Sequence, residues 1–170
     1  MITEKNSVIK IKTEPDGSAI VTVECDGNIK SVGFTVRTPK GDESAVNLRI
    51  GGRKAEGTFF VPDCVLWNLN APVLYGFSAE IETESGKEKA SGKFGFRTLS
   101  TNGKNVCLNG VPLFIRGYIR GAAAHEHSNV ANLPEEEFYR KNVTQAKKFG
   151  FNLVRFHSFV PDDAFLSVAD

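Results

Sequence analysis

The chain has 170 residues, of which 41% are hydrophobic and 24% charged, and its formal net charge is +1. This composition is typical of a folded globular protein, and the near-neutral charge predicts neither a nucleic acid nor an anionic membrane as a partner. Every apolar run is shorter than the roughly 18 residues that a membrane-spanning helix requires.

The chain up to about residue 98 predicts short strands and has no convincing helical pattern. Apolar and polar residues alternate around Val21, Phe34 and Ala79, as expected for a sheet with one face in water. Turns rich in Gly, Asn and Asp separate the runs. The predicted strands are 8–12, 19–24, 29–37, 45–50, 55–61, 73–82 and 88–96. Seven strands in a segment of this length predict an immunoglobulin-like β-sandwich.

Packing rather than covalent links is expected to stabilise this sandwich. Cys25, Cys64 and Cys107 are odd in number and widely spaced, which favours reduced thiols over a disulfide framework or a zinc site. Trp67, the only tryptophan, is expected to cover one end of the sandwich or the junction with the next domain. Stacking on a sugar is the alternative role for this ring.

After residue 98 the pattern becomes that of an α/β segment. Asn109-Gly110, between two apolar runs, predicts a β-hairpin. The elements expected next are a strand over 113–119, a loop over 120–132, a helix between Pro134 and Gly150, a buried parallel strand over 151–156 and a helix opened by Pro161. This order of elements predicts a right-handed βαβ unit. Two parallel strands cannot bury both faces alone, so we expect self-association through this segment, or its partial disorder.

The predicted helix has acidic residues at its start and basic residues at its end, which complements its dipole. Glu135, Glu136 and Glu137 are therefore interpreted as dipole-complementing residues, and Asp162 and Asp163 as first-turn residues of the last helix. Tyr139, Val143 and Ala146, with Phe138 and Phe149 beside them, form the apolar stripe of the first helix.

Several motifs resemble those of glycoside hydrolase family 2. Residues 66–75, LWNLNAPVLY, are similar to the LW-x-x-x-x-P-x-LY signature within the family's immunoglobulin-like domain. Residues 94–97 and 108–117 resemble the family's junction between sandwich and barrel. His125-Glu126 is similar to the His-Glu pair after the first barrel strand, and the stretch from Lys147 to Arg155 resembles the K-x-x-G-x-N-x-x-R run of the second.

The resemblance implies a mainly β chain with two parts. Residues 1–98 would form the immunoglobulin-like β-sandwich, and residues 99–170 a partial α/β segment, the first βαβ of a (β/α)8 TIM barrel. The intact enzyme would hydrolyse β-linked galactosides, glucuronides or related glycosides with retention, so its partner is a carbohydrate. Extra residues at 118–124, and the order His157-Ser158 where related branches have Ser-His, leave the sugar open.

The resemblance also implies substrate-binding residues near the strand ends. His157 and His125 would contact sugar hydroxyls, and Arg155 would orient a neighbouring carboxylate. Glu126 belongs to the same loop as His125. Arg116 would make either an ion pair in the barrel floor or an active-site contact.

Catalysis is not expected from these 170 residues alone. Retaining hydrolysis needs two carboxyl groups about 5–5.5 Å apart, and the family's two catalytic glutamates lie on later barrel strands. Neither a cofactor nor a metal is expected, because a zinc site of His125, His127 and His157 would lack a fourth ligand. The alternative function is a non-catalytic carbohydrate-binding or interaction module built on the sandwich.

Overall fold

The computed structural model of the protein describes residues 7–121 and 133–170. Their regular structure is mainly strand, as the sequence predicts. These residues form two compact units. The first runs up to Thr101 and includes Cys107–Val111, and the second comprises Asn102–Val106 and the described residues from Pro112 to Asp170. None of the helices in the described ranges could span a membrane.

In the first unit, the described residues up to Phe94 form eight strands in two antiparallel sheets. The strands are β1 (Ser7–Thr13), β2 (Ser18–Cys25), β3 (Ile29–Arg37), β4 (Glu43–Val46), β5 (Arg49–Gly51), β6 (Lys54–Phe60), β7 (Tyr75–Thr83) and β8 (Gly86–Phe94). One sheet has the order β1-β2-β6-β5 and the other β4-β3-β7-β8. This two-sheet arrangement confirms the predicted immunoglobulin-like sandwich.

The single strand predicted over 45–50 is wrong. The structure has β4 pairing with β3 in one sheet and β5 pairing with β6 in the other, so Asn47 and Leu48 carry the chain between sheets. This crossing segment packs directly on the backbone of Gly57 in β6, where any Cβ would collide with the Asn47 carbonyl oxygen. The contact between Asn47 and Gly57, ten residues apart in the chain, therefore divides the predicted strand into two.

The core of the first unit lies between the two sheets. Val21 and Val23 in β2 are completely buried, and Phe34 in β3 stacks on Phe77 with ring centroids 5.5 Å apart. Burying side chains of this size stabilises a fold by about 1.5–3 kcal/mol each. No polar or charged residue in the described ranges is fully buried. Apolar packing therefore stabilises this unit, and its cysteines Cys25, Cys64 and Cys107 are free thiols.

A second cluster of buried residues is built around Tyr75, the first residue of β7. Its ring packs edge-on against Phe96 at 4.9 Å, and its hydroxyl accepts a hydrogen bond from the backbone N–H of Val65 (2.9 Å). This is the tyrosine corner of immunoglobulin-like sandwiches, in which a tyrosine at the start of a strand binds the backbone upstream. Tyr75 is also the last residue of the LW-x-x-x-x-P-x-LY stretch.

Trp67 is half-buried within the first unit. Its backbone N–H donates to the Phe96 carbonyl (2.9 Å), its ring contacts Gly95, and the Arg97 guanidinium lies 4.5 Å from the ring centroid. These contacts favour the interpretation of Trp67 as a packing residue at one end of the sandwich over a role in sugar stacking.

Three short strands follow the sandwich: β9 (Leu99–Asn102), β10 (Asn105–Leu108) and β11 (Val111–Pro112). They form a sheet of order β11-β10-β9, and the predicted Asn109-Gly110 hairpin connects β10 to β11. Asn109 and Gly110 have φ angles of 53° and 77°, both positive, as a type I′ turn requires. The Asn109 side chain accepts from the Thr98 N–H and donates to the Trp67 carbonyl, both at 3.0 Å.

The second unit contains a βαβ arrangement. Its elements are β12 (Gly117–Arg120), α1 (Glu135–Lys148), β13 (Leu153–Phe156) and α2 (Asp163–Ala169). The strands β12 and β13 pair in parallel, as predicted. That they are the first strands of a (β/α)8 barrel stays a prediction.

The strand predicted over 113–119 starts later in the structure. Its first part belongs elsewhere, because the Leu113 N–H donates to the Val106 carbonyl of β10. The Asn152 side chain then binds the Phe114 carbonyl, so regular pairing begins only at Gly117. The expectation that the second parallel strand is buried is also wrong, because no residue of β13 is buried and Leu153 is 41% exposed.

The helix α1 has the predicted charges and ends as expected. Glu135–Glu137 lie in its first turn, Lys147 and Lys148 in its last, and Gly150 follows with φ of 79°. Phe149 is not part of the apolar stripe, since it is 72% exposed. It is the C-terminal cap of the helix, with ψ near zero, where the helical conformation ends.

Candidate functional site

The candidate site is the edge of the second unit where β12 and β13 end. The register pairs Gly117 with Leu153 and Arg120 with Phe156, so the carboxyl ends of both strands meet at one edge. In α/β architectures with parallel strands, this edge is where ligands bind.

The two faces of this sheet differ in burial. On the helix-covered face, Tyr118, Arg120, Val154 and Phe156 are half-buried, and Phe156 packs edge-on against Phe165 of α2 at 4.9 Å. On the opposite face, which we call the open face, the side chains are exposed. The open face consists of Gly117, Ile119, Leu153 and Arg155. A ligand or a further layer of protein can therefore approach only one side of this sheet.

Arg155 lies on the open face, opposite Ile119 in the ladder. Its side chain is exposed and forms no salt bridge with any residue that the structure describes. A guanidinium presents a planar fork of donors that matches a carboxylate in two parallel hydrogen bonds. Arg155 is thus available to a carboxylate outside the described part of the chain.

His157 is the first residue after β13. Its backbone N–H donates to the Arg120 carbonyl (2.8 Å), which extends the parallel ladder by one residue beyond the strand. Ser158 then adopts a positive φ of 64°, and the chain turns away from the sheet. The imidazole is exposed, and a neutral imidazole can donate and accept a hydrogen bond at once. The structure thus places His157 and Arg155 at the same edge.

Arg116 lies at the opposite end of β12. Its backbone N–H donates to the Asn152 side chain (2.8 Å), one residue before the strand begins. Its guanidinium lies against Gly150, whose missing side chain leaves room for it. The length of β12, roughly 13 Å, therefore lies between Arg116 and His157. This placement favours the barrel-floor alternative, and the substrate-binding role of Arg116 stays a prediction.

The predicted residues His125 and Glu126, together with His127, lie outside the described residues, which exclude 122–132. Their proposed contacts with a sugar therefore stay predictions. In the described ranges, no group of three His, Cys, Asp or Glu side chains could hold a metal ion.

Three carboxylates of the second unit, Glu135, Glu136 and Asp162, stabilise its helices and the packing between them. Asp162 caps α2 by accepting from the Phe165 N–H (2.7 Å), and Glu136 pairs with Arg140 (2.7 Å). The Tyr139 hydroxyl lies 2.9 Å from a Glu135 oxygen and 2.8 Å from an Asp162 oxygen. Burial, followed by these two carboxylates, raises the pKa of Tyr139 well above its usual value. The phenol therefore stays protonated and acts as a donor.

Sequence reasoning missed two residues that hold the β12–β13 sheet, Asn152 at its amino end and Arg120 at its carboxyl edge. Asn152 bridges the strands, since its side chain donates to the Phe114 carbonyl (2.8 Å) and accepts from the Arg116 N–H. Arg120 places its guanidinium 5.2 Å from the ring centroid of Phe165 and 5.6 Å from that of Tyr139. Asn152 stands in the G-x-N motif and could have been found there. Arg120 had no such signal.

Comparison with known proteins shows the family to which the chain belongs. The sequence model described as glycosyl hydrolases family 2 matches residues 3–97. A β-galactosidase of Staphylococcus xylosus is 29% identical over 151 residues, which are 88% of this chain and 14% of that enzyme. A β-galactosidase of Pectobacterium atrosepticum is 34% identical over 93 residues, which are 53% of this chain and 9% of the relative.

The fold is also that of a solved β-glucuronidase of Faecalibacterium prausnitzii, with a TM-score of 0.72 at 21% identity. The match covers 98% of this chain and 26% of that structure. The chain thus spans a seventh or less of the length of the two β-galactosidases and about a quarter of the β-glucuronidase. Because the family's sequence model covers more than half of its residues, the chain belongs to glycosyl hydrolases family 2.

Proposed function

We propose that this chain is the segment of a retaining family 2 β-glycosidase that joins the immunoglobulin-like domain to the first two strands of a (β/α)8 barrel. In this proposal residues 1–98 are the sandwich and 99–170 the start of the barrel. The observation that carries it is the parallel pair β12–β13, which brings Arg155 and His157 to one exposed edge. Family membership supports the same interpretation.

The substrate in the longer enzyme would be a β-linked galactoside or glucuronide. The two relatives described above are named β-galactosidases, and the solved structure from Faecalibacterium prausnitzii is named a β-glucuronidase. His157 would bind hydroxyl groups of the sugar in the subsite where the bond is cleaved. Arg155 would orient a carboxylate from a later barrel strand. His125 and Glu126 would complete the same subsite from the loop after β12.

The 170-residue chain by itself would not hydrolyse glycosides. A retaining mechanism needs a proton donor and a nucleophile about 5–5.5 Å apart across the scissile bond. Two described carboxylates of this unit already have other partners, because Asp162 caps α2 and Glu136 pairs with Arg140. We also propose that the open face, with Ile119 64% exposed, causes this chain to self-associate.

A second function, carbohydrate binding by the sandwich, has one observation in its favour. The outer face of β3, β7 and β8 has a depression of about 490 Å³, whose lining includes the hydroxyl groups of Thr35, Ser78 and Ser91 and the charged side chains of Glu80 and Lys89. It contains no aromatic ring on which a sugar could stack, so we favour the first proposal.

One titration separates these functions. The purified chain, labelled with ¹⁵N, is titrated with methyl β-galactoside and, separately, with methyl β-glucuronide while amide resonances are followed. We expect weak, saturable shifts centred on His157 and Arg155, which His157→Ala removes. Shifts centred on Thr35, Ser78 and Ser91 would favour the sandwich module. Absence of any shift at high sugar concentration would contradict both.

Turnover tests the expected inactivity. The chain at high concentration is incubated with nitrophenyl β-galactoside and nitrophenyl β-glucuronide, with His157→Ala as the matched control for a contaminating enzyme. We expect release of nitrophenol at the rate of buffer alone. A faster release that depends on His157 would show that these residues are catalytically sufficient and that this part of the proposal is wrong.

A further inference from the structure

The side chain of Arg120 is enclosed by aromatic rings on the helix-covered face of the β12–β13 sheet. Its guanidinium carbon lies 5.2 Å from the centroid of Phe165, 5.6 Å from that of Tyr139 and 6.0 Å from that of Phe138. Its Nη1 atom is fully buried and has no hydrogen-bond acceptor among the described residues. Each ring attracts the cation through the negative charge density of its face, and this attraction is stronger where water is excluded.

These rings belong to both helices of the second unit. Phe138 and Tyr139 lie in α1, and Phe165 lies in α2. Tyr139 packs edge-on against Phe165 at 5.3 Å, and the Tyr139 hydroxyl reaches the Asp162 carboxylate that caps α2. One arginine therefore anchors the last residue of β12 to two helices that contact each other.

The backbone of Arg120 holds the next element of the site. Its carbonyl accepts the hydrogen bond from the His157 N–H (2.8 Å). At Ser158 the chain turns away from the sheet, so this hydrogen bond is the last one of the β12–β13 ladder. The position of the His157 backbone thus depends on where the end of β12 is fixed.

We propose that Arg120 is a positioning residue for His157: its guanidinium, anchored among Phe138, Tyr139 and Phe165, fixes the end of β12, whose carbonyl holds the His157 backbone. As far as it concerns the sugar, this role rests on the proposed function. Arg120 lies on the face away from the open one and does not touch substrate. It therefore affects binding only through the geometry of His157.

Hydrogen exchange of single amides, measured by NMR on the whole 170-residue chain, tests this role. The reporter is the His157 amide. The internal control is the Asn152 amide, which donates to the Arg116 carbonyl (2.9 Å) at the other end of the same sheet. Arg120→Met keeps a long apolar side chain without the charge. Arg120→Lys keeps the charge and is the rescue variant.

In Arg120→Met we expect the His157 amide to exchange about tenfold faster, because the loss of a desolvated cation–aromatic anchor frees the strand end. The Asn152 amide should be unchanged, and Arg120→Lys should restore part of the protection. An unchanged His157 amide in Arg120→Met would overturn the proposal. So would equal acceleration of both amides in both variants, since that result indicates a role in the packing of the whole unit. If Arg120→Met unfolds this unit, the two amides are compared in Arg120→Lys instead. Faster exchange at His157 than in the unsubstituted chain, with Asn152 unchanged, would support the proposal, and unchanged exchange at His157 or equal acceleration of both amides would overturn it.

The sugar titration of the same variants keeps the two proposals apart. Faster exchange at His157 in Arg120→Met, with no sugar-induced shift in the unsubstituted chain, would support the positioning role and refute the sugar subsite. A sugar-induced shift that Arg120→Met leaves intact, with unchanged exchange, would support the subsite and refute the positioning role.

Discussion

The two units of this protein bury their sheets in different ways. In the first unit two sheets face each other, and the side chains between them, such as Val23 and Phe34, are almost completely inaccessible to water. In the second unit a single two-stranded sheet is covered on one face only, and Ile119 and Leu153 on the other face are exposed. A sandwich completes its own core, whereas a parallel pair needs more strands or a second layer.

The two units also differ in the surroundings of their charged side chains. On the sandwich, ion pairs such as Lys10–Glu24 and Glu80–Lys89 lie across neighbouring strands in water, where such pairs add little to stability. In the second unit the cation of Arg120 is enclosed among aromatic rings. The ion pairs on the sandwich therefore lie at its surface, whereas the guanidinium of Arg120 is part of the packing between sheet and helices in the second unit. This difference predicts that the units respond differently to substitution.

The largest effect is expected from Phe34→Ala. Removing this buried ring should lower the free energy of unfolding of the first unit by about 3–5 kcal/mol, because it leaves a cavity between the sheets. Phe60→Ala is the matched control, since Phe60 is 62% exposed, and it should change the free energy by less than about 0.5 kcal/mol. Urea unfolding followed by the fluorescence of Trp67, the only tryptophan, measures both. Equal losses would mean that the core is not where the structure has it.

A smaller loss is expected from Tyr75→Phe. The substitution keeps the ring but leaves the Val65 N–H without its acceptor, which should cost about 1–3 kcal/mol. Thr58→Val is the control, because Thr58 is exposed on β6 of the same unit and its hydroxyl has no hydrogen bond to any residue in the described ranges. The same urea experiment measures both variants. A neutral Tyr75→Phe would show that water replaces the lost bond.

The open face should respond in association rather than in stability. Ile119→Ser combined with Leu153→Ser removes exposed apolar side chains, so the free energy of unfolding should change little while self-association weakens. In sedimentation velocity, the variant should approach the 18.6 kDa of one chain at concentrations where the unsubstituted chain is larger. Phe60→Ser, which removes a similarly exposed ring from the sandwich, should not have this effect. A monomeric unsubstituted chain would contradict the proposed association.

The smallest effect concerns the exposed pair Glu80–Lys89. The hydrogen bond and charge of Lys89 lower the pKa of Glu80 below its ordinary value of 4.5. A carboxyl whose pKa is lowered by folding stabilises the folded state above its unfolded pKa, and that contribution is lost as the pH falls through the folded value. Urea midpoints should therefore fall slightly more steeply below pH 4.5 in the unsubstituted chain than in Lys89→Met. Added salt should reduce the difference, and Lys93→Met is the control.

Much of the sandwich could be predicted, because its signals are local. The strand predicted over 29–37 has the observed bounds, since turn residues flank an alternating run on both sides. The strand predicted over 45–50 failed because the crossing at Asn47 depends on the bare backbone of Gly57 in another strand. Burial of β13 was overpredicted because its composition does not reveal how many strands accompany it.

For the candidate site, the sequence could predict position but not environment. Arg155 and His157 could be placed at a strand end from the helix–strand pattern and the motif. Arg120 could not, because its rings come from residues 18 to 45 positions later in the chain. The sequence around Arg120 indicates an ordinary exposed charge, because the rings that enclose it belong to α1 and α2. Sequence motifs do not identify residues whose role depends on their packing.

The two hydrogen bonds of the Asn109 side chain also bear on the chemical durability of the protein. Asparagine followed by glycine is prone to lose ammonia, because the next backbone nitrogen can attack the side-chain carbonyl and close a succinimide ring. Here the amide is held by the Thr98 N–H and the Trp67 carbonyl. Hydrolysis to aspartate would replace the donor to Trp67 with an acceptor and set two oxygens against each other. The contacts that shape this turn should thus also slow the deamidation of Asn109.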